Sequence, residues 1–357
     1  MSGDGKQYTM EEYLRVRKRN ITVIVISSIL CIVLTYISMS VNDNHMSVMD
    51  VTTTIIDHIN HVPFPDTRAE FEDYFVFDFF IPRAIGCLTV GAILSVGGAI
   101  MQTIIKNPLA DPYTTGLSSG ALVGVSLYII FGIGFGLSYH FNIMMMALIF
   151  SMLPCGIIIF FTFFKKATPN VIILIGIAVS YIFSAISTMI LFQGTTLDYE
   201  QIYQWSLGSF AFINKDSWMF LIPAMIVMVA VLMYLAKIIN IASVDDKLAT
   251  SLGVNSPKTR VFCLLLITLF TSITVAYVGT IGFVGLIIPN IARRIVSSDS
   301  KLLIPFSAIL GGLFMLMCDC IARSVRLGGI SVGIVTAFIG GPVMLFILIK
   351  MKRNCWN

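Results

Sequence analysis

The 357-residue sequence predicts an all-α polytopic membrane protein with about ten transmembrane helices, and three observations carry that expectation. Asp, Glu, Lys and Arg make up 12% of the chain against 57% apolar and aromatic residues, where a soluble domain carries about 25% charge. The apolar residues collect into runs of roughly 20, long enough to cross about 30 Å of hydrocarbon. The Lys and Arg residues gather on one side of the topology those runs define. With 23 basic and 19 acidic residues and a mean hydropathy of +0.91, the composition excludes a disordered chain, a nucleic-acid binder of the basic-patch type and an ordinary soluble enzyme.

The first run, 20–40, follows Arg15, Arg17, Lys18 and Arg19. No small-residue cleavage site stands behind it, so it reads as a retained helix preceded by a cytoplasmic tail, 1–19. Residues 41–78 carry Asp43, Asp50, Asp57, Asp66, Glu70, Glu72, Asp73 and Asp78 against Arg68 alone, with Pro63 and Pro65 interrupting any long helix. That segment is expected to be an extracytoplasmic loop. Further runs follow at 80–104, 116–136, 142–164, 170–192, 217–239, 258–278, 281–297, 302–324 and 331–350.

The pair at 258–297 can be scored as one overlong run broken by Gly279 and Gly282, and charge decides the matter. Lys247, Lys258 and Arg260 precede it and Arg293, Arg294 and Lys301 follow it, so two inside ends require an even number of crossings. The same rule places Lys106, Lys165, Lys166, Lys237 and the tail with Lys350, Lys352 and Arg353 inside. Arg68, Arg83, Lys215, Arg323 and Arg326 are left outside or near the outer surface. The transmembrane domain is then 20–350, with both termini, including the tail 351–357, cytoplasmic.

Few residues suggest chemistry. Of the seven cysteines, Cys31, Cys87, Cys155, Cys263, Cys318 and Cys320 lie in apolar stretches and read as buried thiols, while Cys355 lies in the tail. The lone Gly-Lys pair, Gly5-Lys6, lacks the remainder of a P-loop, and no His-Glu-x-x-His pair occurs. Asp319 and Arg323 stand at i and i+4 near the outer end of the ninth run, where they either neutralise each other locally or take a direct functional role. His58 and His61 are spaced as contacts to a metal or haem if their segment is helical, though polar loops also collect histidines, and His45 and His140 fall outside too. Met144, Met145 and Met146 read as packing residues. Clustered glycines (Gly86, Gly91, Gly97, Gly98; Gly116, Gly120, Gly124; Gly279, Gly282, Gly285) suit close helix contacts or broken helices lining a path.

A distinctive order of residues begins at Ile81-Pro82-Arg83 and continues through Gly91, Gly97-Gly98-Ala99, Gln102, Asn107-Pro108-Leu109-Ala110-Asp111-Pro112, Gly116 and Ser119-Gly120-Ala121. It runs on through 205–210 (WSLGSF), 248–253 (LATSLG), 279–289 (GTIGFVGLIIP) and 332–342 (VGIVTAFIGGP). Over about 80–357 the chain resembles the FecCD-type permeases, membrane subunits of ABC importers for iron chelates, haem and cobalamin in the plasma (inner) membrane of prokaryotes.

The resemblance implies a homodimeric permease around a central path, two copies of an ABC ATPase that carry the ATP and Mg, and an extracytoplasmic substrate-binding protein. It implies no cofactor or metal in this chain and no nucleic-acid partner. It places the ATPase-coupling helix in the segment 240–258, at Asp245, Asp246, Lys247, Leu248, Ala249, Leu252 and Gly253; the family commonly has Gly-Glu where Asp245-Asp246 stand. A short amphipathic helix seated in a groove transmits rigid-body motion. Binding-protein docking falls to Arg83 and Arg323, with Phe80 in place of a further arginine and Gly329-Ile330-Ser331 in place of Glu-Leu-Pro. The cytoplasmic gate falls to Asn107, Leu109, Pro169 and Asn170, and Asn290 stands where the family frequently has His.

A ferric chelate is the expected substrate, with cobalamin and haem as alternatives. An ion-coupled secondary transporter would require carboxylates near the bilayer midplane, and a receptor without transport would need neither the coupling segment nor glycine-rich spans.

Overall fold

The computed structural model describes residues 10–41, 46–63, 66–136, 138–165, 168–325 and 329–355. His45, Asp43, Pro65, Lys166 and Arg326, with the first nine residues and the last two, lie outside them. Among the described residues the structure is helical, with no strand. The helices are α1 (Met10–Met39), α2 (Val48–Ile59), α3 (Thr67–Phe75), α4 (Ile81–Ile105), α5 (Leu117–Phe131), α6 (Tyr139–Lys165), α7 (Pro169–Leu191), α8 (Thr196–Ser206), α9 (Lys215–Tyr234), α10 (Ala236–Ala242), α11 (Asp246–Ser251), α12 (Ser256–Val278), α13 (Val284–Ile295), α14 (Ser300–Ser324) and α15 (Val332–Cys355).

Each of the ten apolar runs contains a helix, but two of these helices are shorter than a span. Among the described residues, eight helical segments have the length and hydropathy to cross a membrane. At 1.5 Å per residue, the 15 residues of α5 and the 12 of α13 cover only about 22 and 18 Å. The run expected over 116–136 stops at Phe131 because Gly132 takes a left-handed conformation and caps the helix through its N–H to the Tyr128 carbonyl. The 258–297 stretch is two helices, as charge required, parted by the non-helical 279–283. That stretch finds its partners inside the protein: Ile281 N–H donates to the Tyr113 hydroxyl (3.2 Å), Thr280 Oγ1–H to the Ser206 carbonyl (2.6 Å) and Ser209 N–H to the Val278 carbonyl (2.8 Å). Irregular backbone within a span persists only where it is satisfied in this way.

The 41–78 segment is also more ordered than a loop. Ser47 and Asp50 form a reciprocal capping box that starts α2, and the Asp66 carboxylate caps α3 by accepting from Ala69 N–H at 2.8 Å. A π-helical turn, Val76–Phe80, joins α3 to α4, so the chain is helical without interruption from Thr67 to Ile105. Asp78 pairs with Lys215 at 3.0 Å, and His58 meets Asp73 at 2.7 Å while stacking on Phe77 at 3.8 Å. His61 lies beyond the end of α2 with φ +53, so the two histidines share no helical face.

α4 is the hub. It packs on α14, α13, α9 and α12, whereas α5 packs on α6 and α7, and α1 leans on α14. The most apolar stretch of the 67–105 segment is 89% buried in the protein, against 6% for that of α1, so α1 lies at the periphery of the fold. Apolar burial gives little drive between helices surrounded by lipid, so close contact must come from small residues and dispersion. Gly91 of α4 faces Gly311 of α14, and Gly98 faces Gly285 of α13; a Cβ on them would lie 2.3 and 2.0 Å from the facing carbonyl oxygens. Around these contacts Ile93, Ile100, Ile104, Met228, Leu232 and Ile267 form one core, while Cys87, Val90, Leu94, Met315 and Leu316 form another.

Candidate functional site

Two groups of charged residues sit at the two ends of α4. At its C-terminal end stands α11, a six-residue helix whose N-cap, Asp245, accepts from Lys247 N–H at 2.9 Å. Gly253 ends the turn with φ +82, and Val254 N–H closes back on the Ala249 carbonyl at 2.9 Å. Ala249 is completely buried against its own chain, while Val244, Leu248 and Leu252 are 43%, 49% and 59% exposed. Leu248 and Leu252, four apart at the C-terminal end of α11, and Val244, in the turn before its cap, form an exposed apolar stripe. The ridge expected from sequence as Leu248, Ala249, Leu252 and Gly253 is thus shifted: Val244 joins it and Ala249 anchors it from behind.

Asp246 does not project freely. Its Oδ1 accepts from Lys106 Nζ at 3.0 Å and from the Arg260 guanidinium. Lys106 is the left-handed C-cap residue of α4 (φ +57), and its Nζ also donates to the Val244 carbonyl. Arg260, near the start of α12, is 1% exposed, and its Nε donates to the Ile104 carbonyl in the last turn of α4 at 3.1 Å. Desolvation works to raise the Asp246 pKa; the hydrogen bonds from Arg260 and Lys106, with their charges, outweigh it and hold the carboxyl below the usual carboxylate range.

Directly after Lys106 comes the turn with the expected gate residues Asn107 and Leu109. Asn107 Oδ1 accepts from Leu109 N–H at 2.9 Å, and Leu109 is 41% exposed. The same turn is held to α13, where Asn290 Nδ2 donates to the Pro108 carbonyl at 3.0 Å. Arg293 of α13 donates to Gln102 Oε1 (2.5 Å), the Ala99 carbonyl (2.9 Å) and Thr103 Oγ1 (3.0 Å). Pro169 opens α7 at its first position and Asn170 beside it is exposed.

At the N-terminal end of α4, Arg83 reaches α14. Its Nε lies 3.1 Å from both Asp319 oxygens and its Nη2 2.8 Å from Oδ1. Arg323 approaches Asp319 Oδ2 at 3.0 Å from the other side and donates to the Ser38 carbonyl at 2.9 Å and to that of Val41, after α1. Asp319 is 1% exposed, Arg83 and Arg323 21% and 14%. The i, i+4 pair seen in sequence is therefore two of the three members of an Arg–Asp–Arg cluster that ties α1, α4 and α14 together, and both expected docking arginines are committed to it.

Sequence reasoning missed three residues. Arg260 counts there only as an inside charge, and Lys106 likewise. Asp111, in the connection before α5, is 4% exposed, and its Oδ1 has no hydrogen-bond partner among the described residues. It faces Gly285, where a Cβ would sit 2.6 Å from that oxygen. Its position within a polar-looking Asn-Pro-Leu-Ala-Asp-Pro stretch concealed its burial.

Residues 30–350 match the family model described as the FecCD transport family. The chain is 34% identical over 279 residues to the vitamin B12 import system permease protein BtuC of Yersinia pseudotuberculosis, covering 78% of this chain and 82% of that one. It is 31% identical over 284 residues to the molybdate import system permease protein MolB of Haemophilus influenzae, covering 79% and 83%. A solved structure described as an inward-facing metal-chelate type ABC transporter superposes with a TM-score of 0.80 at 28% identity, covering 92% of this chain and 99% of that one. PsaBC from Streptococcus pneumoniae shares the fold, with a TM-score of 0.54 at 20% identity.

An all-helical polytopic chain built in this way is the permease component of an ABC importer. Within that class, it belongs to the FecCD transport family.

Proposed function

We propose that this chain is the membrane path of an ATP-driven importer for a ferric chelate, paired with a second copy of itself and served by two ABC ATPase subunits. The observation that carries the ATP-driven part is α11. Its exposed Val244–Leu248–Leu252 stripe suits a groove on an ATPase, and its other side is pinned by Asp246 to the end of the central helix. ATP and Mg belong to that partner. The turn at Asn107 and Leu109, with Pro169 and Asn170, forms the cytoplasmic gate, and Arg83 and Arg323 lie where an extracytoplasmic binding protein docks. This orientation places α11 inside the cell and α2–α3 outside.

The ferric chelate is supported by the likeness to a metal-chelate type transporter over 92% of the chain. The relatives named for vitamin B12 and molybdate make those two the competing cargoes. The test is reconstitution of the purified chain with its ATPase and binding protein in proteoliposomes, offering a radio-iron ferric chelate, labelled cobalamin and labelled molybdate in turn. ATP-dependent accumulation of the chelate alone supports the proposal. Accumulation of one of the others reassigns the cargo, and uptake driven by an ion gradient without the ATPase overturns the ATP-driven reading.

A further inference from the structure

We infer that the Lys106–Asp246–Arg260 cluster is the strut through which displacement of α11 reaches the gate, and that Lys106 and Arg260 are positioning residues for transport. This rests on the coupling reading above. Asp246 is the first residue of α11, and its Oδ1 holds two cations that belong to other parts of the fold.

One cation, Lys106, is the residue at which α4 ends and the Asn107–Leu109 turn begins. The other, Arg260, is buried and grips the Ile104 carbonyl, so it fixes α11 to the last turn of α4 and to the start of α12 together. A lone Lys–Asp pair at a surface would be too soft to carry a displacement. Here the carboxylate meets a guanidinium held inside the protein, and Lys106 Nζ adds a bond to the Val244 carbonyl just before α11.

The connection beyond the strut is stiff in the same sense. Asn290 grips the Pro108 carbonyl and Arg293 grips Gln102, Ala99 and Thr103, so the gate turn is fastened to α13 as well as to α4. A shift of α11 pulls on the residue preceding Asn107 with only one carboxylate between them. By contrast the Leu248 and Leu252 side chains make no contribution to the strut and are 49% and 59% exposed.

The charges facing Asp246 are complementary and come from different elements, α4 and α12, which makes the cluster sensitive to single neutral substitutions. Lys106 is the cleaner site to change: it is 32% exposed and lies outside α11, so its loss leaves the ATPase-facing stripe intact. The experiment uses the complete transporter in proteoliposomes and reads both ATP hydrolysis and substrate accumulated per ATP. Lys106→Gln is expected to leave hydrolysis in place and lower transport per ATP by about fivefold or more, the range in which coupling between sites commonly falls. Lys106→Arg restores it, a recovery that a loss of folding would not show. Asp246→Asn lowers the same ratio, while Asp246→Glu keeps most of it.

A Lys106→Gln transporter with wild-type transport per ATP overturns the strut. So does one whose hydrolysis and transport fall in step and are not restored by arginine. Leu252→Asp separates this proposal from the one it rests on. If that change also leaves transport intact, the coupling reading of α11 is wrong; if it uncouples transport while Lys106→Gln does not, the coupling helix stands and the strut alone falls.

Discussion

Arg83 holds Asp319 by two of its guanidinium nitrogens, at 2.8 to 3.1 Å, across the α4–α14 contact, while Arg323 approaches the same carboxylate from its own helix at 3.0 Å. One buried anion thus compensates two mostly buried cations. The cluster retains a net positive charge, and that remainder is what a docking partner with exposed carboxylates would meet.

Removing the anion should be more damaging than removing one cation. Asp319→Ala leaves two guanidinium groups largely buried and unpaired, which costs about 3 kcal/mol or more. Thermal unfolding of the detergent-solubilised protein measures it. Arg83→Gln combined with Asp319→Asn should recover part of the loss, and an additive double variant would show that the residues do not act as a unit.

Charge reversal at Arg83 or Arg323 should weaken docking of the binding protein, with the deficit larger at low ionic strength because the attraction across the approach to a charged partner is screened at high salt. Affinity measured by surface plasmon resonance on nanodisc-embedded transporter decides this. Unchanged affinity in a variant that still unfolds at the wild-type temperature removes that arginine from the interface.

Leu252→Asp on the exposed stripe of α11 should loosen the ATPase complex by about tenfold, the equivalent of one buried leucine lost from a groove. Co-purification in mild detergent reads the effect. Retention equal to wild type would sink the assignment of this stripe as the contact.

At Gly98 the facing Gly285 carbonyl leaves no room for a methyl group, and the obstacle is backbone that cannot swing aside. Gly98→Ala should therefore destabilise the α4–α13 contact by about 1 to 3 kcal/mol. Gly156→Ala provides the control, because nothing lies within 4 Å of a Cβ there. Equal unfolding temperatures for the two variants would show that the α4–α13 spacing relaxes.

The Asp246 pair has a defined pH dependence. Its carboxyl is held below the usual range in the folded state, so it binds protons more weakly there than in the unfolded chain. The stabilisation it gives is complete above the unfolded pKa of about 3.9 and is lost as pH falls through the lower folded value. The melting-temperature difference between wild type and Asp246→Asn should be constant near neutrality and shrink towards zero on acidification. A gap that widens in acid contradicts the sign.

The membrane skeleton was legible because apolar run length and the placement of Lys and Arg are local properties of the chain. Each of the ten runs contains a helix, and Gly279 marks the break between α12 and α13. The short helices α2 and α3 were not read: the two prolines and the acidic charge of 41–78 pointed to a loop, whereas Ser47 with Asp50, and Asp66, cap helices there. What could not be read were pairings between distant residues. Asp246 meets a partner 140 positions earlier in Lys106, and Arg83 meets one 236 positions later in Asp319. Run length and charge counts assign each of these residues a side of the membrane but no neighbour, which is also why Arg260 counted only as an inside charge.

The π-helical turn at Val76–Phe80 sets the angular phase of everything that precedes it. A turn of this kind accommodates one residue more than α geometry would, and each α-helical residue advances the chain by about 100°. Deleting a single residue within it would let the helix run straight on into α4 and swing α3, with the packed α2, by about that angle around the axis. Asp78 and Phe77 sit within the turn and join it to Lys215 and His58. The α2–α3 unit is thus keyed to the helices it precedes like a dial set one notch from the alternative, and a one-residue change in length would re-aim it without altering a single side chain on its surface.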